Sequence, residues 1–150
     1  MSLYSIALFL HIVGALALFA LLAIEGFSLG QGMGAARVNR ILGPTSAVLV
    51  LFPGLYMVAT TWGWQGWVVV GVTSWVLIAV LGAATGIRLM AGRLSRQVAT
   101  TSWLVRVGMA LGVVLIMTVK PTAAIAVAWV AIGAVLGGAA GLAMRQVRPA

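Results

Sequence analysis

Five stretches of this chain are so long and so apolar that only lipid can surround them. They run over residues 3–25, 41–61, 67–87, 103–119 and 122–144, and none holds more than one charged side chain. A helix rising ~1.5 Å per residue needs about 20 residues to cross a hydrocarbon layer ~30 Å thick. Strands are excluded, because lipid offers no partner to open backbone groups and the stretches are too long for barrel strands. Charged residues make up only 7% of the 150, whereas a soluble domain carries about a quarter. The expectation is an all-α, polytopic transmembrane helical bundle forming one membrane domain over 1–150. It would have five spans, a four-helix core with a C-terminal helix added. The first stretch reads as a retained span, since MSLYSIALFL has no basic n-region and the apolar run outlasts a signal peptide.

The connections set the orientation. Arg37 and Arg40 lie in the first, Arg88, Arg93 and Arg96 in the third, and Arg145 and Arg148 in the tail. The second, Trp62-Gly63-Trp64-Gln65-Gly66, is uncharged, and the fourth holds only Lys120. Cations hold loops on the cytoplasmic side and meet anionic lipid there, so the N-terminus is expected outside and the C-terminus in the cytoplasm. The location implied is the inner cell membrane, crossed several times. Trp62, Trp64 and Trp67 suit an outer headgroup layer. The net charge of +8 is thereby topogenic; the cations are too scattered for nucleic acid. Pro121 after Lys120 demands a sharp reversal, unless 103–144 forms a shallower, tilted pair.

His11 and Glu25 are the only histidine and the only acid in the chain. Fourteen residues apart, they differ by about 40° around a helix and by roughly 21 Å along it. A charge facing lipid costs at least ~2.5 kcal/mol, so this shared face should look inward. Gly14, Leu18 and Leu21 lie on or beside it. Glu25 calls for a cationic partner: Arg106 first, because it falls just inside the inner end of the fourth span, and Arg88 second. The plainer alternative has Glu25 ending its helix, solvated at the headgroups. A third reading makes Glu25 the proton or cation site of a small transporter or channel.

His11 admits two readings. A neutral imidazole at its depth can simply bond a carbonyl or a hydroxyl. It can also ligate haem b, with Met57, Met117 or Lys120 as the other axial ligand, since methionine–histidine pairs are a known haem arrangement. Methionines on apolar helices are more often packing residues.

Glycines at intervals of four let helix backbones approach closely. Gly133, Gly137 and Gly141 form such a stripe, and Gly82 with Gly86 and Gly108 with Gly112 repeat the spacing. Gly26, Gly30 and Gly34 continue it beyond Glu25, so the first helix can run into the headgroups. Whether these faces meet within one chain or between chains is open. Pro53 should kink the second span.

The chain has no cysteine and no aspartate, so disulfides, thiolate metal sites and paired-carboxylate catalysis are excluded, and no glycine-rich phosphate loop with a lysine is present. A self-contained active site is hard to assemble from these residues, and no metal site is expected.

LFLHIVGALAL at 8–18, Gly54-Leu55-Tyr56, and VVLIMTVKP at 113–121 together resemble a bacterial family of small integral membrane proteins. It is related to the copper-resistance-protein-D-like and HemJ-type protoporphyrinogen oxidase group. The resemblance covers the first four spans and leaves the last helix outside. It implies a helical bundle with His11, and Lys120 with it, as haem ligands on the outer side. The chain departs from that group at Leu18-Phe19-Ala20, where tryptophan-glycine would stand, and in lacking the further polar residues an oxidase needs.

The leading functional expectation is an accessory or structural subunit, not an enzyme, that packs with itself or with a larger membrane complex. A haem-binding membrane redox protein and a transporter using Glu25 are the alternatives.

Overall fold

The computed structural model describes residues 2–31 and 36–147, with side chains over 2–30 and 41–144. Five helices, α1 (Leu3–Gln31), α2 (Ala36–Met57), α3 (Gly66–Met90), α4 (Arg96–Val119) and α5 (Ala123–Val147), account for nearly all of them. No strand occurs among the described residues. All five helices are long and apolar enough to cross a membrane. The chain is therefore all-α, as its apolar stretches require.

The helices divide into two compact units, Met1–Trp64 and Gln65–Ala150. The grouping is two helices and three, not four and one. Within the second unit α5 packs most extensively on α4, so it is no appendage there.

In the first unit α1 and α2 lie antiparallel. Trp62 Nε1 donates to Tyr4 Oη at 3.3 Å, His11 reaches Val50, and Leu21 faces Gly43. The crossing is tightest at Gly14, where a methyl group would lie 2.6 Å from the Leu49 carbonyl carbon and 2.7 Å from Val50 N. Glycine is required there because no Cβ fits against the opposing backbone.

Helix α2 continues through Pro44 and Pro53 without losing helical residues, and ends in a π-helical turn, Val58–Trp62. Gly63 closes that turn at φ 63°, and its N–H bonds Val58 O at 2.8 Å. Pro53 has no N–H to give, so the Leu49 carbonyl lacks its intrahelical donor.

In the second unit the glycine stripes meet each other. Gly108 and Gly133 touch backbone to backbone, Gly112 faces Val130, Gly137 faces Leu104 and Val105, and Gly141 faces Thr101. These contacts run antiparallel and place the expected small-residue face inside one chain. Lys120 ends α4 in the left-handed conformation at φ 52°, which makes the reversal into α5 sharp. A non-glycine residue there costs about 1–2 kcal/mol.

Helix α4 begins at Arg96, seven residues before the expected 103. Five of the seven residues 96–102 are polar, which is why the apolar stretch stops short of them. Ser95 caps the helix through Val98 N–H, and Thr100 and Thr101 turn their hydroxyls back onto the Arg96 and Gln97 carbonyls, each at 3.0 Å. Satisfied in this way, hydroxyls ride on a helix with little penalty. The consequence is that Arg106 sits ten residues into α4 instead of near its end.

Candidate functional site

His11 projects from α1 toward the stretch of α2 around Pro53-Gly54. Its Nδ1 lies 2.8 Å from the Val50 carbonyl oxygen. A carbonyl can only accept, so Nδ1 carries the proton and donates it, and in the neutral ring Nε2 keeps its lone pair. The ring fits because residue 54 is glycine: a methyl there would lie 3.1 Å from Nδ1 and 3.2 Å from Cε1. Gly14, one turn along α1, sets the backbone separation that makes the bond reachable. Three glycine-dependent or backbone features thus fix one imidazole.

The inward stripe expected on α1 is present. Ala7, Gly14 and Leu22 are buried, and His11, Leu18, Leu21 and Glu25 are half-buried. Glu25 does not end its helix, since α1 runs six residues further to Gln31. It therefore stands inside the apolar span Leu3–Gly30. Its expected partners Arg106 and Arg88 belong to the other unit, and that pairing stays an expectation. Gly30 faces open space; Gly34 and Arg148 lie outside the described residues, as do the side chains of Arg37, Arg40 and Arg145.

The haem-ligand candidates separate. His11 and Met57 share the first unit; Met117 and Lys120 lie in the second. Met57 is buried at 7% exposure, three residues beyond the glycine against which His11 rests. Met117 rests the end of its side chain against Gly71, which is the behaviour of a core-filling thioether. Lys120 is exposed and spends its backbone N–H on Ile116 O at 2.9 Å. The donor set of the first unit suits haem at the histidine: ligating imidazoles ordinarily donate their other N–H to a carbonyl or carboxylate, and Val50 supplies one.

The second unit holds a polar layer that sequence spacing does not disclose. Arg106 is only 3% exposed and reaches from α4 to α3, where Gly82 makes room for its guanidinium: a methyl on Gly82 would lie 2.9 Å from Nη1. One turn away, Thr85 Oγ1 and Ser102 Oγ hydrogen-bond at 2.7 Å. Ser74, further along α3, is buried and bonds Val70 O at 2.7 Å. Gly82 and Gly86 were expected to be a helix-packing pair. Gly82 instead admits a side chain, and Gly86 has nothing within 4 Å. Spacing alone cannot tell a glycine that meets a helix from one that meets a long cation.

No cluster of three or more metal-ligating side chains occurs among the described residues. Comparison with family models, with curated proteins and with solved structures finds no match.

Proposed function

We propose that this chain is a multi-pass protein of a bacterial inner membrane, with its N-terminus outside and its C-terminus in the cytoplasm, that serves as an accessory or structural subunit. The observation that supports this reading is the exterior of α5. That helix buries one narrow stripe, Ala126, Val130 and Gly141 with the half-buried Gly133 and Gly137, and exposes Ile125, Val127, Trp129, Ile132, Val135, Leu136, Leu142 and Met144. Meanwhile Ser74, Thr85 and Arg106, the groups with chemistry to offer, are turned inward. What the unit presents outward is apolar shape, suited to lipid and to the helices of a second copy or a larger complex. Purification in mild detergent should yield a stoichiometric partner or a homo-oligomer, seen by mass in solution. A monomer that brings down no partner, both in detergent and in nanodiscs, would contradict it.

A second reading rests on the locked tautomer of His11. Nε2 of that ring is free to act as an axial ligand to haem b, with Met57 the candidate in the same unit, and the resemblance to the HemJ-type group points the same way through Lys120. Bound haem would supply one-electron chemistry; this chain would supply the ligand and its orientation through Val50 and Gly54. A Soret band in the purified protein, abolished in His11→Ala and retained in Met117→Leu, is the expected result. Its absence after haem is supplied during expression removes the reading.

A further inference from the structure

His11 is the only histidine in the chain, and its Nε2 can serve a ligand only while the ring proton sits on Nδ1. One bond keeps the proton there, Nδ1–H to the Val50 carbonyl at 2.8 Å. That bond crosses from one helix to the other. Its length is therefore set by how closely α1 lies on α2, and not by the histidine itself.

The separation is decided one turn away. A methyl group on Gly14 would stand 2.6 Å from the Leu49 carbonyl carbon, 2.7 Å from Val50 N and 2.8 Å from Leu49 Cβ. The first two atoms are the ends of a single peptide bond, Leu49–Val50. Pro53 offers no N–H to the oxygen of that peptide, so α2 holds it less firmly than its neighbours. Helix α1 holds it from outside instead, with Gly14 against the peptide bond and His11 on the next carbonyl. Ordinary contact of a Cβ begins at about 3.4 Å, so a side chain at 14 must lift α1 by most of an ångström. A lift of that size takes a 2.8 Å contact past hydrogen-bond length. Gly54 acts on the ring directly: a methyl there would meet Nδ1 at 3.1 Å and Cε1 at 3.2 Å, and no backbone atom of α1.

We propose that Gly14 and Gly54 are positioning residues for the ligand atom of His11, Gly14 by fixing the distance between the helices and Gly54 by seating the ring. With either one enlarged the Val50 bond breaks, and the ring exchanges its proton on Nδ1 for one on Nε2, the form an unrestrained imidazole favours. Nε2 must then give up that proton before it can ligate, although the histidine is untouched. The consequence for ligand affinity rests on the haem reading given above; the consequence for the proton rests on the helix contact alone.

Because the chain has one histidine, labelling with heavy nitrogen in histidine alone leaves a single imidazole to observe by nuclear magnetic resonance. In nanodiscs without haem, in alkaline buffer that keeps the ring neutral, the wild type should carry its proton on Nδ1. Gly14→Ala should move it to Nε2 by parting the helices, and Gly54→Val by displacing the ring. Gly30→Ala, at a glycine of α1 that faces open space, should leave it on Nδ1. Haem titrated into the same samples should bind Gly14→Ala about ten- to a hundredfold more weakly than the wild type, the usual effect of removing the group behind a metal-binding histidine. A wild type protonated on Nε2, a proton that stays on Nδ1 in Gly14→Ala or in Gly54→Val, or equal haem affinity of wild type and Gly14→Ala would each overturn the proposal. If Gly14→Ala does not accumulate, Gly54→Val decides, since it leaves the helix contact in place. The expected proton shifts with no haem bound by any sample would remove the haem reading and uphold the positioning roles.

Discussion

Gly133→Val should be strongly damaging, as should any side chain at the α4–α5 glycine contacts. The Gly133 backbone rests on the Gly108 carbonyl so closely that any Cβ overlaps it. Overpacking a core costs about 1–3 kcal/mol where side chains can yield. Here the neighbour is backbone, so the whole of α5 must lift from α4, and the expected loss is at or above the upper end, ~3 kcal/mol. It should appear as a lower midpoint in thermal or SDS unfolding, or as failure to accumulate in the membrane. Gly86→Val, at a glycine with nothing within 4 Å, should change stability by no more than about 0.5 kcal/mol. Equal behaviour of the two would mean that α4 and α5 do not meet at these glycines.

The second large effect is a size exchange across α3 and α4. Arg106→Ala removes a long buried side chain and should cost about 2–4 kcal/mol through the cavity it leaves. Gly82→Leu drives a side chain into the space of the guanidinium and should cost about 3 kcal/mol. Combined, the leucine fills the space the arginine vacates, and the double variant should be more stable than either single one. A double-mutant cycle on unfolding midpoints measures this coupling, expected to exceed ~1 kcal/mol. Additive losses would show that Gly82 is not where Arg106 goes.

Much of this architecture is written openly in the sequence. Apolar length announces the five helices, and the interval of four in Gly108, Gly112, Gly133, Gly137 and Gly141 offers faces for close approach without saying which of them meet. What stays hidden has physical reasons. The start of α4 is masked because Arg96 to Ser102 look like a loop by composition, whereas hydroxyls bonded to carbonyls four residues back make such a segment a good helix. The partner of His11 is the backbone of Val50, and a backbone carbonyl has no residue type by which to be recognised. Gly54 was legible only as part of a proline-glycine pair and a glycine-tyrosine motif; that it receives an imidazole follows from the register of α1 on α2. Gly82 carries the same spacing as the true packing glycines and does something else. The division of the helices into two and three leaves no trace in composition, because every span is apolar.

The central claim is that the described helices cross a membrane in alternation, with the Trp64–Gln65 turn and the Ala91–Gly92 turn on opposite sides. Because the chain has no cysteine of its own, Gln65→Cys and Ala91→Cys each introduce a unique thiol at the ends of α3. A membrane-impermeant maleimide added to intact cells should label the cysteine at 65, and should reach the one at 91 only after permeabilisation. Labelling of both from the same side, or of neither after the membrane is dissolved, would contradict the topology and the depth assigned to every residue discussed above.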